Sequence, residues 1–259
     1  MLLAVDIGNT NIVLGVYNGT KLSHHWRINT DHHKTTDEYG ILIKSLLDTD
    51  EIGLKKIKSV IISCVVPPLL TVFEEISRNF FNVRPIIVNH NTKTGIKICY
   101  KNPSEVGADR IVNAVAAYHE FGGPVIIIDF GTATTFCVVS AKGEYLGGVI
   151  VPGITISAEA LFARAAKLPA VELIKPKNII GKDTVSSMQS GIIYGYAGMI
   201  DAIVERIKSE TKFRNPMVIA TGGLSGLIAP ETKSIKEIKL FLTLEGLRLI
   251  YKLIYKKNR

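Results

Sequence analysis

The feature that most constrains the fold of this chain is a strand–turn–strand pattern that occurs twice, about 120 residues apart. The first copy reads AVDIGNTNIVLGVYNG and the second reads IIDFGTATTFCVVSAKG. Each copy is followed by a third predicted strand. Aligning the copies pairs Asp6 with Asp129, Gly8 with Gly131 and Asn9 with Thr132. An internal duplication of this kind predicts two related lobes, each built on a hairpin.

Hydrophobic periodicity predicts both strands and helices in each half, and therefore an α/β protein. In the first half we predict strands at 2–6, 12–17, 21–28, 59–64 and 84–88, and helices at 36–47, 69–81 and 104–121. In the second half we predict strands at 125–129, 134–139, 144–151 and 217–220, and helices at 157–167, 185–208 and 243–257. Gly122, Gly123 and Pro124 interrupt the pattern, so we predict a first domain at 1–117 and a second at 118–259.

Composition and charge exclude several classes of protein. Hydrophobic residues make up 47% of the chain and charged residues 21%, which is typical of a globular protein. No apolar run approaches the ~18 residues of a membrane span, and the N-terminus lacks the features of a signal peptide, so we expect a cytoplasmic protein without a membrane partner. The net charge of +8 suits anionic small molecules. Because the basic residues are not interleaved with aromatic ones, we expect no nucleic-acid partner.

Cysteine and histidine show no pattern that indicates a disulfide framework or a zinc site. Cys64, Cys99 and Cys137 are odd in number and widely spaced, so we expect reduced thiols. The six histidines have no metal-ligand spacing. We therefore look for function among carboxylates, hydroxyls and glycines.

The first duplicated turn has the residues of a phosphate-binding site. Neither G-x-x-x-x-G-K-[ST] nor G-x-G-x-x-G occurs, which excludes a P-loop and the dinucleotide fingerprint. Asp6, at the end of a strand, suits hydrated Mg²⁺, and Gly8 lets backbone N–H groups approach phosphate oxygens. Asn9 and Thr10 add side-chain donors. An ordinary hairpin turn remains the alternative, because Asp, Gly and Asn dominate turns.

The second turn strengthens the phosphate interpretation. Asp129 to Thr135 reads DFGTATT, and three threonine hydroxyls are costly in a buried strand unless they form hydrogen bonds. Protein kinases also contain Asp-Phe-Gly, but their glycine-rich and H-R-D loops are missing from this sequence. Near the other end of the second half, Gly222 and Gly223 follow a predicted strand. Small residues there would let adenine or ribose approach the backbone, although a glycine pair is more often a plain turn.

The segment YKNPSEVGADR, from Tyr100 to Arg110, has the residues of an acceptor site. Gly107, Asp109 and Arg110 lie at the start of a predicted helix, and helix N-termini attract anions. The Arg110 guanidinium can bind a carboxylate through two hydrogen bonds. Asp109 is then a candidate general base. The alternative is an ordinary Asp–Arg pair on a helix face.

Taken together, these segments resemble the type III pantothenate kinases over essentially the whole chain. The matching parts are DIGNT, YKNPSEVGADR, DFGTATT, GGVIVPG at Gly147–Gly153, Thr184 followed by Ser190-Gly191, and TGG. The resemblance implies a duplicated actin-like (ribonuclease H-like) α/β fold, with mixed five-stranded sheets flanked by helices and ATP between two lobes. It also implies a homodimer that transfers the γ-phosphate of ATP to pantothenate, giving 4'-phosphopantothenate in the first step of coenzyme A biosynthesis.

The resemblance further implies a role for each matching residue. Asp109 is expected to be the general base, Asp6 to help hold Mg²⁺, and Asp129 to ligate a monovalent cation, K⁺ or NH₄⁺. The expected ATP contacts are Asp6, Ile7, Gly8, Asn9, Thr10, Asn11, Ile12, Val13, Thr132, Gly222 and Gly223. The expected pantothenate contacts are Tyr100, Gly107, Ala108, Asp109, Arg110 and Thr184, the last from the neighbouring subunit.

Two other functions remain open at the level of sequence. Another kinase of the same superfamily would share the phosphate hairpins and differ only in its acceptor site. A non-enzymatic nucleotide-binding transcription accessory factor would fit the basic charge, but it would have no need of a base such as Asp109 beside Arg110.

Overall fold

Two compact units make up the part of the chain that the computed structural model describes, residues 1–255. The first unit contains residues 1–116 and returns at Leu242, and the second contains residues 117–241. The predicted boundary at 117/118 lies within two residues of the observed one. The predicted second domain differs at its end, because residues 242–255 pack with the first unit. The predicted helix end at Lys257 lies outside the described residues.

The first unit is built on a five-stranded mixed sheet in the order β3-β2-β1-β4-β5. Strands β1 and β2 are antiparallel, whereas β1 and β4 are parallel. The elements of this part of the chain are β1 (Leu2–Ile7), β2 (Asn11–Asn18), β3 (Lys21–Asn29), α1 (Thr36–Thr49), β4 (Ser59–Cys64), α2 (Pro67–Asn79), β5 (Ile86–Ile87), β6 (Lys97–Ile98) and α3 (Ala108–Phe121), which crosses into the second unit at its last turns.

Alternation along β1 and β4 places apolar side chains on both faces of the first sheet, and helices cover each face. Val5 and Ile62 belong to the core beneath α1 and α2, together with Tyr39 and Phe73. Residues such as Ala4 and Ile61 belong to the core on the opposite face. Each fully buried aliphatic side chain contributes about 1.5–3 kcal/mol to folding, so the unit depends on both faces being covered.

The cover on the second face comes from the last helix, α7 (Leu242–Tyr255). Its Leu247 and Ile250 are fully buried and belong to the same core as Ala4. Leu244 packs so close to Gly15 that a Cβ there would lie 2.7 Å from its Cδ1. Thr243 also donates a hydrogen bond to Asn113 Oδ1 of α3 at 2.8 Å. These contacts explain why α7 belongs to the first unit rather than to the second.

The second unit repeats the arrangement around β7, with an antiparallel neighbour β8 and a parallel neighbour β10. Within this unit the strands follow the order β11-β10-β7-β8-β9. The elements are β7 (Val125–Phe130), β8 (Ala133–Val139), β9 (Glu144–Pro152), α4 (Ile154–Arg164), α5 (Thr184–Thr211), β10 (Met217–Gly222), α6 (Ser225–Ile228) and β11 (Glu237–Ile238). The core of this unit includes Ile128, Phe136, Ile193 and Val204.

Within residues 1–255, no helix combines the length and the apolar character needed to span a membrane. Over the same range, no group of three or more His, Cys, Asp or Glu side chains is arranged to hold a metal ion.

Candidate active site

The turn between β1 and β2 is held in place by its own backbone and by the residue that follows β3. Gly8 N–H donates to the carbonyl of Asn11 at 3.0 Å, and a Cβ on Gly8 would lie 3.0 Å from that same oxygen. Thr30 donates its N–H to the carbonyl of Thr10 at 3.0 Å and its hydroxyl to the carbonyl of Gly8 at 2.6 Å. Asn9 and Thr10 are exposed, so their polar groups are accessible to a ligand.

Not every predicted ATP contact of this first hairpin presents a side chain. Ile7 and Ile12 are fully buried in the core beneath α1 and α2, so only their backbone groups are open to a role at the turn. Val13 packs against the core on the opposite face of the sheet, where it pairs with Asp6. The polar part of the hairpin is therefore limited to residues 6 and 8–11.

Asp6 lies at the carboxyl end of β1, half-buried, between Val13 of β2 and Ser63 of β4. Ser63 is fully buried. Burial raises the pKa of the nearby Cys64 thiol, and the negative charge of Asp6 raises it further. The charge of Asp6 thus affects the ionisation of a side chain at the end of β4.

The second hairpin is clamped in the same way but is one residue shorter. Gly131 N–H donates to the carbonyl of Ala133 at 3.2 Å, and Gly153 N–H donates to the carbonyl of Thr132 at 3.1 Å. The equivalent bond in the first unit ends on Thr10, so Thr10 is the structural counterpart of Thr132. The alignment of Thr132 with Asn9 was wrong, because an ungapped comparison does not detect the difference in turn length.

The segment Thr221-Gly222-Gly223, at the end of β10, lies directly beside Asp129. Thr221 pairs with Asp129 across the parallel strands β10 and β7. Gly222 has φ +90°, and a Cβ there would lie 2.7 Å from Asp129 Oδ1. Gly223 follows and is exposed. The structure therefore brings Asp129, Thr221 and the two glycines together at one end of the second sheet.

Asp109 lies in the first turn of α3, with its carboxylate folded back towards Gly107. A Cβ on Gly107 would lie 2.5 Å from Asp109 Oδ1 and 3.5 Å from Val65, which follows β4. Asp109 Oδ1 accepts a hydrogen bond from the Arg110 N–H at 2.7 Å. Burial raises the pKa of Asp109, and the Arg110 hydrogen bond and charge only partly oppose this effect. A buried carboxyl with a raised pKa suits proton abstraction near neutral pH.

The other predicted acceptor residues lie close to Asp109 in the sequence. Ala108 and Arg110 are buried at the start of α3, with 8% and 7% of their surface exposed. Tyr100 is half-buried between β6 and the single turn at Pro103–Glu105. Arginine is rarely buried to this degree, and the charge of Arg110 acts on the carboxyl of Asp109 beside it, so Arg110 is a candidate for a specific role.

Thr184 lies apart from these groups, at the first position of α5 in the second unit. Asp183 caps the helix by accepting the Ser186 N–H at 2.8 Å. Helix α5 and the preceding helix α4 line an apolar groove of about 940 Å³. Its lining includes Pro152, Leu161, Thr184, Met188 and Gly191.

Three residues next to the two hairpins were not singled out from the sequence as site residues. Ser63 interrupts the apolar run VIISCVV at 60–66, and that polar interruption was the available signal. Gly153 ends the GGVIVPG segment, but only the structure reveals that a Cβ there would overlap the carbonyl oxygen of Thr132. Thr30 has no distinctive sequence context.

Comparison with a family model and with curated proteins identifies the family of this chain. The family model described as "Type III pantothenate kinase" matches residues 2–206. A curated relative, "Type III pantothenate kinase" from Syntrophus aciditrophicus (strain SB), is 59% identical over 252 residues, which cover 97% of this chain and 99% of the relative.

Solved structures share the fold at much lower identity. A protein from Campylobacter jejuni, described as a conserved putative Baf family transcriptional activator, has a TM-score of 0.62 at 20% identity and covers 98% of this chain and 99% of its own. MreB 5 of Spiroplasma citri bound to AMPPNP has a TM-score of 0.57 at 14% identity, with coverages of 99% and 97%. These similarities concern the fold, and they agree with the expected duplicated actin-like architecture.

Proposed function

The chain belongs to the type III pantothenate kinases, and from that premise we propose which of its residues perform the transfer. Membership makes it an enzyme that phosphorylates pantothenate with ATP in the biosynthesis of coenzyme A. The assignment of residues rests chiefly on the buried carboxyl of Asp109. This residue lies in the same unit as Asp6. Since both ATP and coenzyme A are intracellular metabolites, we place the reaction in the cytoplasm.

Asp109 is proposed to be the general base. Its Oδ1 is fixed by the N–H of Arg110, so the other carboxyl oxygen remains the one that accepts the proton of the pantothenate hydroxyl. Burial raises the pKa of Asp109 and keeps the carboxylate poorly solvated, which makes it a better proton acceptor than an exposed aspartate. A positioned base contributes about 10²–10⁴ to the rate.

Arg110 is proposed to bind the carboxylate of pantothenate. Its planar guanidinium matches a carboxylate through two parallel hydrogen bonds, and its buried position strengthens the attraction. Gly107 lacks the Cβ that would collide with Asp109 Oδ1, and Ala108 carries only a methyl group. Tyr100 would complete this acceptor site from the loop that precedes α3.

Each of the two hairpins is proposed to bind phosphate groups of ATP and one cation at the turn of its own unit. In the first unit, Asp6 supplies the hard oxygen ligand that Mg²⁺ prefers, while Gly8 and Thr10 offer backbone and hydroxyl donors. Mg²⁺ would neutralise the negative charge that develops on the phosphates. In the second unit, Asp129 would ligate K⁺ or NH₄⁺, with Thr132 donating to a phosphate and Gly222 and Gly223 beside the nucleoside.

A homodimer is proposed to form through the groove between α4 and α5. Leu161 lines the groove and is 40% exposed, and its neighbour along α4, Phe162, is 50% exposed. Such a surface suits a second copy of the chain, which would place Thr184 near the partner's substrate. Leu161→Glu with Phe162→Glu should convert the dimer to a monomer in light scattering. Ile41→Glu, at a residue 61% exposed in the first unit, is the control that should remain dimeric.

The assay that tests the proposed roles measures ATP consumption by the purified protein with pantothenate, sugars or acetate as acceptor. We expect turnover only with pantothenate. In the Arg110→Met variant we expect KM for pantothenate to rise by about two orders of magnitude, because a charge-assisted pair is lost, while KM for ATP stays the same. An equal rise in both KM values would contradict the role of Arg110.

A further inference from the structure

Ser63 is a buried polar residue that has no hydrogen-bond partner in the part of the chain described. It is 0% exposed, and its Oγ makes no hydrogen bond. The residues that precede it in β4, Val60 to Ile62, are apolar and buried. A buried hydroxyl without a partner destabilises a fold, so its presence calls for an explanation.

The register of the first sheet places Ser63 beside Asp6. The two residues are direct partners across the parallel strands β1 and β4, which lie about 4.8 Å apart. Ala4 and Ile61 are partners two positions earlier, and both belong to the core beneath α7. Because side chains alternate along a strand, Asp6 and Ser63 project from this same face, at its carboxyl end. The two side chains are therefore neighbours on one face of the sheet, although the Ser63 hydroxyl makes no hydrogen bond to Asp6 in this structure.

The second unit contains the same arrangement. Thr221 lies on β10, the parallel neighbour of β7, and pairs with Asp129 as Ser63 pairs with Asp6. Thr221 is also buried, at 2% exposure. In both halves of the duplicated chain, a buried hydroxyl residue therefore stands next to the aspartate on the parallel side. Two occurrences in separate units make a packing accident a poor explanation.

We propose that Ser63 is a positioning residue for Asp6, donating its hydroxyl proton to the Asp6 carboxylate when the divalent cation of ATP is bound. The proposal rests on the assigned role of Asp6 as a cation ligand. A hydrogen bond from Ser63 would fix the orientation of the carboxylate and leave its other oxygen directed at the cation. Hydrogen bonds to a metal-ligating side chain orient it and tune the affinity of the site for the metal.

The test compares Ser63→Ala with the wild-type protein by titration calorimetry of Mg·ATP binding and by thermal unfolding. We expect the Kd for Mg·ATP and the Mg²⁺ concentration for half-maximal rate to rise about tenfold, with KM for pantothenate unchanged. The melting temperature of the ligand-free variant should equal or exceed that of the wild type, because an unpartnered buried hydroxyl is removed. Ser63→Cys, which keeps the size but donates weakly, should bind Mg·ATP with intermediate affinity.

Two further variants make the result specific. Ser77→Ala removes a buried serine hydroxyl of α2 that donates to the Phe73 carbonyl at 2.7 Å, so it should lower the melting temperature without changing Mg·ATP affinity. In an Asp6→Asn background, Ser63→Ala should cause no additional loss of Mg·ATP affinity. Unchanged Mg·ATP affinity in Ser63→Ala would overturn the proposal, whatever the melting temperature. A wild-type protein that fails to phosphorylate pantothenate would instead overturn the proposed function.

Discussion

The backbone N–H of Gly153 donates a hydrogen bond to the carbonyl oxygen of Thr132 at 3.1 Å, and this bond clamps the tip of the second hairpin. In the first unit, Thr30 makes the same bond to Thr10 at 3.0 Å. The duplication thus includes the support of each turn as well as the turn itself. Each clamping residue directly follows the third strand of its unit.

Replacing Gly153 with alanine should displace the second hairpin. The new Cβ would overlap the carbonyl oxygens of Thr132 and Gly131, which are backbone atoms that cannot move independently of the turn. We expect a loss of about 1–3 kcal/mol in the free energy of unfolding and a clear rise in KM for ATP. Chemical denaturation and steady-state kinetics measure the two effects.

The matched control for this substitution is Gly198→Ala. Gly198 lies in the interior of α5, where a Cβ would meet nothing within 4 Å. Alanine is the better helix former, so this variant should gain about 0.5–1 kcal/mol and keep its KM for ATP. A Gly153→Ala variant with wild-type affinity for ATP would show that the clamp has no part in nucleotide binding.

Asp109→Asn should abolish most of the turnover without weakening ATP binding. The amide oxygen of asparagine still accepts the Arg110 N–H, so the local structure is kept while the proton acceptor is lost. We expect kcat to fall by about 10²–10⁴, with the Kd for ATP unchanged. Asp37→Asn, an exposed position in the first turn of α1, is the control and should retain wild-type kcat. Full turnover by Asp109→Asn would remove the base from the mechanism.

The raised pKa of Asp109 should appear in the pH dependence of kcat/KM. A base acts only when deprotonated, so the rate falls as pH falls through the folded-state pKa. Because burial raises that pKa above its usual value of about 3.9, the acidic limb should lie at a higher pH than for an exposed aspartate. A limb centred at or below the usual aspartate value would contradict this assignment.

The same shift should make stability fall as pH rises between the two pKa values of Asp109. In that window the folded protein retains a proton on Asp109 that the unfolded chain releases, so rising pH favours unfolding. Denaturant titrations of the wild type and of Asp109→Asn across the window isolate this contribution. The slope of unfolding free energy against pH should be less negative in the variant.

Activity should depend on a monovalent cation held by Asp129. We expect turnover to fall sharply when K⁺ and NH₄⁺ are replaced by Na⁺ at constant ionic strength, because the role proposed for Asp129 is to ligate K⁺ or NH₄⁺ and Na⁺ is a smaller ion. In the Asp129→Asn variant, the rate in K⁺ should no longer exceed the rate in Na⁺. A rate that is lower in both buffers by the same factor would not be the expected result. Choline chloride serves as the control for ionic strength. Equal rates of the wild-type protein in K⁺ and in Na⁺ would exclude the cation site.

The sequence alone predicted most of the secondary structure where local chemistry decides it. The strand at Ser59–Cys64 was predicted with its observed bounds, and α1 begins at Thr36, as predicted, after a full capping box between Thr35 and Glu38. The predicted start of α2, at residue 69, is two residues late, because the apolar periodicity on which it rests begins only after Pro67 and Pro68. Proline fits the first turn of a helix, where its missing N–H is not needed, and α2 begins there.

The parts of the site that escaped prediction depend on contacts between distant segments. Ser63 gains significance only from the register of β4 against β1. Gly153 gains it only from its close approach to Thr132, and α7 was assigned to the wrong domain because sequence order does not reveal which sheet it covers. Helix α3 begins at Ala108 rather than Ser104, since Pro103–Glu105 forms a separate turn.

The return of α7 to the first unit makes that unit discontinuous, with the whole second unit inserted between its two segments. During synthesis on the ribosome, residues 1–116 are therefore exposed for the time needed to make the next 125 residues, without the helix that buries Ala4 and Ile61. The second unit is contiguous in the sequence, so all its strands have been synthesised before the helix that completes the first unit. Shortening the chain at Leu242 would consequently damage the half that is translated earliest, and this half carries Asp6 and Asp109.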